Sequence, residues 1–352
     1  MRIPPVTTDQ RGLFTRAQAA DHGWSKGALD RALASRRLES LAPGILVAAE
    51  RLATLSRRDR HLLEARALVL AHGDRWHLAR RTAGVAHGLP LLGRAPSEVQ
   101  LSRPKQGASQ SHSRHRRVLG LAHPDRCVVD GLPCTSVART VFDLARAESF
   151  RSGVVVADAA LRSGLSRDEL LDVVARHRGW PGSRRVREVV MFADGRAESP
   201  LESLGRVSCL EEGLPVFDPQ VRVLVDGIEV ARVDGLWREQ LVVFEGDGAV
   251  KFDGEGVLPA LLARQEGLHD ARLAVVRAGW ADLTQRRPAF AARVRRRFEE
   301  REGVRLPSWV QLVATGVRVT PLSQTDHYLW PPLPSATPRA EALADEQVRG
   351  VA

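Results

Sequence analysis

At 352 residues, 43% of them hydrophobic, the chain is long enough for two or three separately cored domains and too apolar to be read as disordered. Its formal charge of +10 is carried almost wholly by arginine, with lysine only at Lys26, Lys105 and Lys251; that surplus suits phosphate contacts, although an arginine-rich genome yields the same balance with no partner. No stretch approaches the roughly 18 apolar residues of a membrane span, and the opening MRIPPVTTDQ lacks the apolar run of a signal peptide, so no membrane partner is expected and the cytoplasm is the default location.

Residues 1 to 50 read as a compact three-helix unit with a wing. Phe14, Ala17, Ala20 and Trp24 give an apolar helical rhythm with Thr15 as its cap, His22-Gly23 stops it, and Ser25 caps a second helix, SKGALDRALASR. In LESLAPGILVA, Leu38 to Leu41 and Ile45 to Val47 pair as a hairpin around Pro43-Gly44. Helix, turn, arginine-bearing helix and hairpin is the order of a winged helix-turn-helix, in which Lys26, Arg31, Arg36 and Arg37 would contact DNA. The plainer reading is that these charges solvate an amphipathic helix.

Residues 54 to 150 predict a middle α/β unit. RDRHLLEARALVLAHG is a helix, HLARRTAGVAHGLPLLG a helix with a glycine stop, and EVQLSRP an alternating strand. PKQGASQSHSRHRR reads as a polar loop; His112, His115 and His123 have no metal-ligand spacing. SVARTVFDLAR is an amphipathic helix in which Arg139 and Asp143, four apart, pair on one face. Residues 151 to 197 form a helical connector: VVVADAALRSGL, then SRDELLDVVARH with a Ser166–Glu169 capping box, then a PGSRR turn into a further helix. Cys127, Cys134 and Cys209 are odd in number and form no CxxC pair, which predicts buried small hydrophobes rather than a zinc site or a disulfide framework.

From residue 198 to 300 the pattern is α-β-β-β-α-β-α. SPLESLGRVSCLEEG opens with Ser199-Pro200, an N-cap followed by a first-turn proline. PQVRVLV, IEVARVDG and QLVVFEG are strands, the first two joined by Asp226-Gly227, a strong hairpin signal. A helix near 256 to 269, the strand ARLAVVR and the helix LTQRRPAFAARVRRRFEE follow, with Pro288 kinking or restarting the last; residues 301 to 352 read as an irregular tail.

Strand parity selects the chemistry. Ile228, Val230, Arg232 and Asp234 share one face of their strand, and Leu241, Val243, Glu245 and Asp247 one face of the next, so neighbouring strands set Asp234 beside Glu245 at the edge of an apolar core. Two such carboxylates repel, and a divalent cation removes the repulsion. Mg2+ or Mn2+ accepts these oxygens and also a phosphodiester oxygen. Glu202, in the preceding helix, reaches the same ion if that helix crosses the sheet, and Lys251 can orient water or neutralise phosphate charge. Gly246, Gly248 and Gly254 permit close backbone approach, and Gln220 is another polar candidate at this end. Each has a plain alternative: Asp234-Gly235 as a strand-ending turn, Glu245 paired with a core-edge arginine such as Arg232, Glu202 stabilising its helix N-terminus.

With these residues in view, the sequence resembles a large group of actinobacterial proteins built from an AbiEi-like antitoxin N-terminal winged-helix domain, a middle AbiEi-type region and a C-terminal domain similar to the very-short-patch-repair and restriction-endonuclease-like superfamily. The resemblance rests on LFTRAQAADHGWSKGALDRAL and RRLESLAPGILV, on RRTAGVAHGL and GLPCTSVARTVFDLA, and most sharply on AESPLES, GLPVFDPQVRV, VARVDGLW, VVFEGDGAVKF and LHDARLAVVRAGWADL. It implies metal ligands at Asp234 and Glu245, with Glu202 as the helical acid, and a catalytic set extending to Asp247 and Lys251. Asp247 stands where the familiar nuclease signature has lysine, as in the repair-endonuclease branch. Gly235 and Gly246 stand where relatives often carry Phe and an aromatic, which is expected to loosen the packing around the acids. The expected function is an Mg2+- or Mn2+-dependent DNA endonuclease with a DNA-binding module; the alternative is a non-enzymatic DNA-binding antitoxin or regulator with a cognate toxin as partner.

Overall fold

The computed structural model describes residues 10–322 except 74, 94–95, 104–109, 112–114, 120 and 248–256. It is a multidomain, mixed α/β architecture with three sheets among the described residues. β1 (Phe14–Thr15), α1 (Arg16–Asp21), α2 (Lys26–Ala34), β2 (Leu38–Ala42), β3 (Ile45–Ala48) and α3 (Ala49–Ala53) come first. Thr15 caps α1 in a full capping box with Gln18, and Ser25 caps α2, as their positions predict. The expected rhythm of α1 is corrected: Phe14 belongs to β1, Ala17 and Ala20 are exposed, and Ala19 is the buried position. Phe14, Ala19, Trp24, Leu29, Leu38 and Leu46 close a small core beneath the sheet β1-β3-β2.

The middle of the chain contributes α4 (Arg57–His72), β4 (His77–Leu78), α5 (Arg80–His87), β5 (Val99–Arg103), β6 (Gln110–Ser111), β7 (His115–Leu119), β8 (Arg126–Val129), β9 (Leu132–Thr135) and α6 (Val137–Ala147). The strands form a mixed sheet in the order β6-β7-β5-β4-β9-β8. The stretch read as one polar loop therefore carries β6 and β7; His112 lies outside the described residues, and exposed His123 starts a single 3-10 turn. Helices α7 (Phe150–Arg162), α8 (Arg167–Arg176) and α9 (Ser183–Phe192) pack with α5 and α6 around Val141, Phe142, Val156, Leu170 and Val189. Arg139 and Asp143 do pair, at 2.9 Å, but inside this layer rather than on a solvated face.

The last sheet has the order β13-β12-β11-β10-β14, from α10 (Pro200–Glu211), β10 (Asp218–Val225), β11 (Ile228–Trp237), β12 (Val242–Gly246), α11 (Val257–Asp270), β13 (Ala274–Ala278), α12 (Trp280–Thr284), α13 (Arg287–Glu300) and β14 (Val310–Ala314). Asp226 and Gly227, both at positive φ (49° and 80°), turn β10 into β11. β12 runs antiparallel to β11 but parallel to β13, the crossover passing through α11. Pro288 restarts the final helix, one of its two expected effects, standing in the first turn of α13, and one expectation is corrected: the tail contains β14, which pairs with the edge of β10. Leu204, Phe217, Trp237, Phe244, Phe290 and Val294 fill one core of this sheet, and Val221, Val233, Leu236, Val243 and Leu268 another.

Candidate active site

The carboxylates meet where β11 and β12 converge. Gly235 lies opposite Phe244 and Leu236 opposite Val243; continued by one residue, that register sets Asp234 across from Glu245. Strict alternation along β11 is nevertheless interrupted here, because Ala231 and Val233 share an apolar cluster with Leu236. The interruption faces Gln220, whose φ of +54° bends β10 at the same level. Gly235 is required by packing: a Cβ there would sit 2.2 Å from the Phe217 ring, which stacks on Phe244 at 4.5 Å. The expectation of loosened packing at Gly235 is therefore corrected, since Phe217 fills the space from below. At Gly246 a Cβ would meet Leu201 Cβ at 3.3 Å, so the wall beside the acids is close there as well.

Helix α10 brings the third acid. Gly205 lets it settle on Phe244, since a Cβ at that position would come within 2.6 Å of the ring. Its first turn is fixed by Asp158 on α7, which accepts hydrogen bonds from Ser203 Oγ at 2.7 Å and Arg206 Nη1 at 3.1 Å. Glu202, in that same first turn and only 3% exposed, then accepts at Oε2 from the Glu198 N–H and from Gln220 Nε2, each at 2.9 Å. The expected cap is present too, with the Glu202 N–H donating to Ser199 Oγ at 3.2 Å.

Hydrogen bonding leaves one oxygen of each acid uncommitted among the described residues. Asp234 Oδ2 accepts from the Gly246 N–H at 2.9 Å and Glu245 Oε1 from Arg264 Nη2 at 2.6 Å, while Asp234 Oδ1, Glu245 Oε2 and Glu202 Oε1 accept from none. Electrostatics runs the same way. Burial, then the charge of Asp234, pushes Glu202 up to about 7. Burial also raises Asp234, against the easing effects of the Gly246 N–H, Arg264 and Arg232, and raises Glu245 despite Arg264. Asp234 is thus the centre, with Glu202 and Glu245 each feeling its charge. The three do not close into a single tight cage: among the described residues, the set of ligand-type side chains whose donor atoms all lie within 4.8 Å is a different one.

The arginine pairing foreseen for Glu245 exists, but its partner is Arg264 of α11, not Arg232; Arg232 instead donates to Glu198 at 2.6 Å. Arg264, His269 and Arg277 line an open cavity of about 500 Å3, and Arg277 stands beside Glu245 in the β12–β13 register. Asp247 is exposed just past β12, its N–H bonded to the Ala278 carbonyl at 3.0 Å. Lys251, Gly248 and Gly254 lie outside the described residues. Asp234 and Glu245, with Glu202 next to them, present hard oxygen atoms of the kind that could hold a divalent cation. Lys26, Arg31, Arg36 and Arg37 are all exposed, on α2 and the turn after it.

A second cluster lies in the middle sheet, where two of the three cysteines meet a histidine. Cys127 and Cys134 oppose each other in the β8–β9 hairpin, and His87, at the end of α5, places Nε2 3.6 Å from Cys134 Sγ. These are the three side chains whose donor atoms fall within 4.8 Å of one another. Cys209 keeps the expected character, its thiol pushed up to about 12 by burial. The signal was available: Asp130-Gly131 is the same two-residue turn chemistry as Asp226-Gly227, and it fixes Cys127 opposite Cys134.

No protein-family model matches the chain. Two uncharacterized proteins of Mycobacterium tuberculosis, one from each of two strains, are similar to it, each 31% identical over 172 residues, or 49% of this chain. The chain spans 64% of the length of these curated relatives.

Proposed function

We propose that the protein is a DNA-binding, metal-dependent nuclease: an N-terminal winged helix-turn-helix for DNA, and a C-terminal restriction-endonuclease-like domain hydrolysing phosphodiesters with Mg2+ or Mn2+. The observation that carries this reading is the trio Glu202, Asp234 and Glu245, neighbours of raised proton affinity in which, among the described residues, Asp234 and Glu245 each keep one uncommitted oxygen. Support also comes from the chain order α10-β10-β11-β12-α11-β13, an antiparallel meander closed by a parallel crossover strand, which agrees with the resemblance. The cavity lined by Arg264, His269 and Arg277 beside Glu245 offers cationic groups for the phosphates of a bound strand. The metal would supply Lewis-acid activation of the phosphate and of water. The chain's own residues would orient it: Gly246 N–H pins Asp234, Gln220 pins Glu202, and the basic wall receives the backbone.

The test is cleavage of plasmid, linear and mismatched duplexes with Mg2+ or Mn2+, alongside Asp234→Asn and Glu245→Gln. Metal-dependent cleavage lost in both variants is expected; no cleavage of any substrate by the intact protein contradicts the catalytic claim. One observation favours a second reading. Arg264 already supplies a positive charge to Glu245, which suits a domain that keeps the nuclease fold without the chemistry, in a DNA-binding antitoxin or regulator with a protein toxin as partner. Promoter binding that survives Asp234→Asn, with no cleavage, is its signature.

A further inference from the structure

We propose that His87, Cys127 and Cys134 form a second metal site, for a zinc-class divalent cation, separate in chemistry from the carboxylates. The hairpin builds it. Asp130 and Gly131, at φ of 51° and 72°, turn β8 directly into β9, so Cys127 is held across from Cys134 by the ladder rather than by chance. α5 ends at His87, and its ring meets the same point of the hairpin: Nε2 is 3.6 Å from Cys134 Sγ. A tetrahedral ion with bonds of about 2.3 Å to sulfur and about 2.05 Å to nitrogen separates the two donors by about 3.6 Å. Two thiolates and an imidazole select zinc-type ions over Mg2+, the reverse of the preference of the carboxylate site.

The Thr135 carbonyl at present holds the site's hydrogens, accepting from His87 Nε2–H at 2.7 Å and from Cys127 Sγ–H at 3.3 Å. Binding the cation exchanges these interactions. The two thiol protons pass to solvent, the imidazole proton moves to Nδ1, and the lone pairs of Nε2 and both sulfurs go to the metal. His87 and Cys134 are buried while Cys127 is half-buried, so the fourth position opens towards solvent and takes water. An ion here ties the end of α5 to β8 and β9, a structural clamp inside the middle sheet.

The experiment uses the full chain, reduced, with Co2+ as the spectroscopic probe. A thiolate-to-cobalt charge-transfer band that saturates at one equivalent and is displaced by Zn2+ is expected. The band should vanish in Cys127→Ser and Cys134→Ser, weaken in His87→Gln with an affinity loss on the order of tenfold or more, and persist in Asp234→Asn. Should a serine variant fail to fold, the wild type still decides: Zn2+ must slow alkylation of Cys127. Absence of both the band and the protection, or a band that survives in Cys127→Ser, overturns the site.

Discussion

Two polar clusters, both walled by apolar side chains, balance their charge in opposite ways. In the helical layer, Arg139 is 1% exposed and spends its guanidinium on Asp143 at 2.9 Å and Asp125 at 2.7 Å; Arg176 donates to the other oxygen of Asp125 at 2.9 Å, and His177 stands against both Arg139 and Asp125. Every acid there has an arginine. At the β11–β12 edge, Arg232 serves Glu198 and Arg264 serves Glu245, while Asp234 and Glu202 have no basic side chain in contact among the described residues. A buried ion network whose charges are matched is a structural element. A cluster of acids that burial and mutual repulsion drive towards protonation is incomplete by itself, and groups so perturbed concentrate at working sites.

The largest effect should come from breaking the matched cluster. Arg139→Met removes the buried partner that Asp125 and Asp143 share, leaving them only Arg176 and Arg146, and is expected to lower unfolding free energy by about 3 kcal/mol, read by denaturant titration. Asp234→Asn, by contrast, retains an acceptor for the Gly246 N–H and removes repulsion, so stability should hold or rise. An equal loss in both variants would erase the distinction between the clusters.

Next in size is a pH effect at Glu202, in metal-free buffer. Its carboxyl is raised from 4.5 to about 7, so the folded state holds the proton more tightly than the unfolded one. Its contribution is therefore most favourable below about 4.5 and falls as pH rises, the full penalty of about 3 kcal/mol being present above about 7. Glu202→Gln keeps an acceptor for Glu198 N–H and Gln220, removes that slope, and should be the more stable protein at alkaline pH. Parallel pH profiles for the two proteins would contradict it.

Arg264→Gln should change stability by no more than about 1 kcal/mol, because the pair is only partly buried. It removes a competitor for Glu245, so Mn2+ affinity should be maintained or increase. If pairing with arginine is the whole purpose of Glu245, neither protein binds Mn2+. The smallest stability effects belong to Arg31→Ala, Arg36→Ala and Arg37→Ala, exposed and each within about 0.5 kcal/mol of wild type. Their signature is in DNA binding, where the salt slope should fall by roughly 0.9 for each phosphate that the variant no longer neutralises.

Local chemistry made much of this legible. Thr15, Ser25, Ser166 and Ser199 cap the helices their positions announce, because an N-cap needs only its own turn. Asp226-Gly227 fixed the β10–β11 register, whereas the placing of Asp234 across from Glu245 belongs to the separate β11–β12 pairing, where the alternation used to argue it slips. What escaped was the meeting of residues far apart in the chain. Arg264 reaches Glu245 through the placement of α11 against the sheet, which no spacing encodes. Val310–Ala314 forms a strand because β10 offers an open edge, not because its own pattern demands one. Phe217 packing against Gly235 is likewise a contact that no local spacing announces.

Central to the proposed chemistry is a cation shared by the acids at the β11–β12 edge. Mn2+ titration of the full protein, followed by the electron paramagnetic resonance of the free ion, measures this without a substrate. Wild type should remove Mn2+ from solution and Asp234→Asn should not, with Cys134→Ser behaving as wild type. No uptake by wild type, or equal uptake by Asp234→Asn, would contradict it.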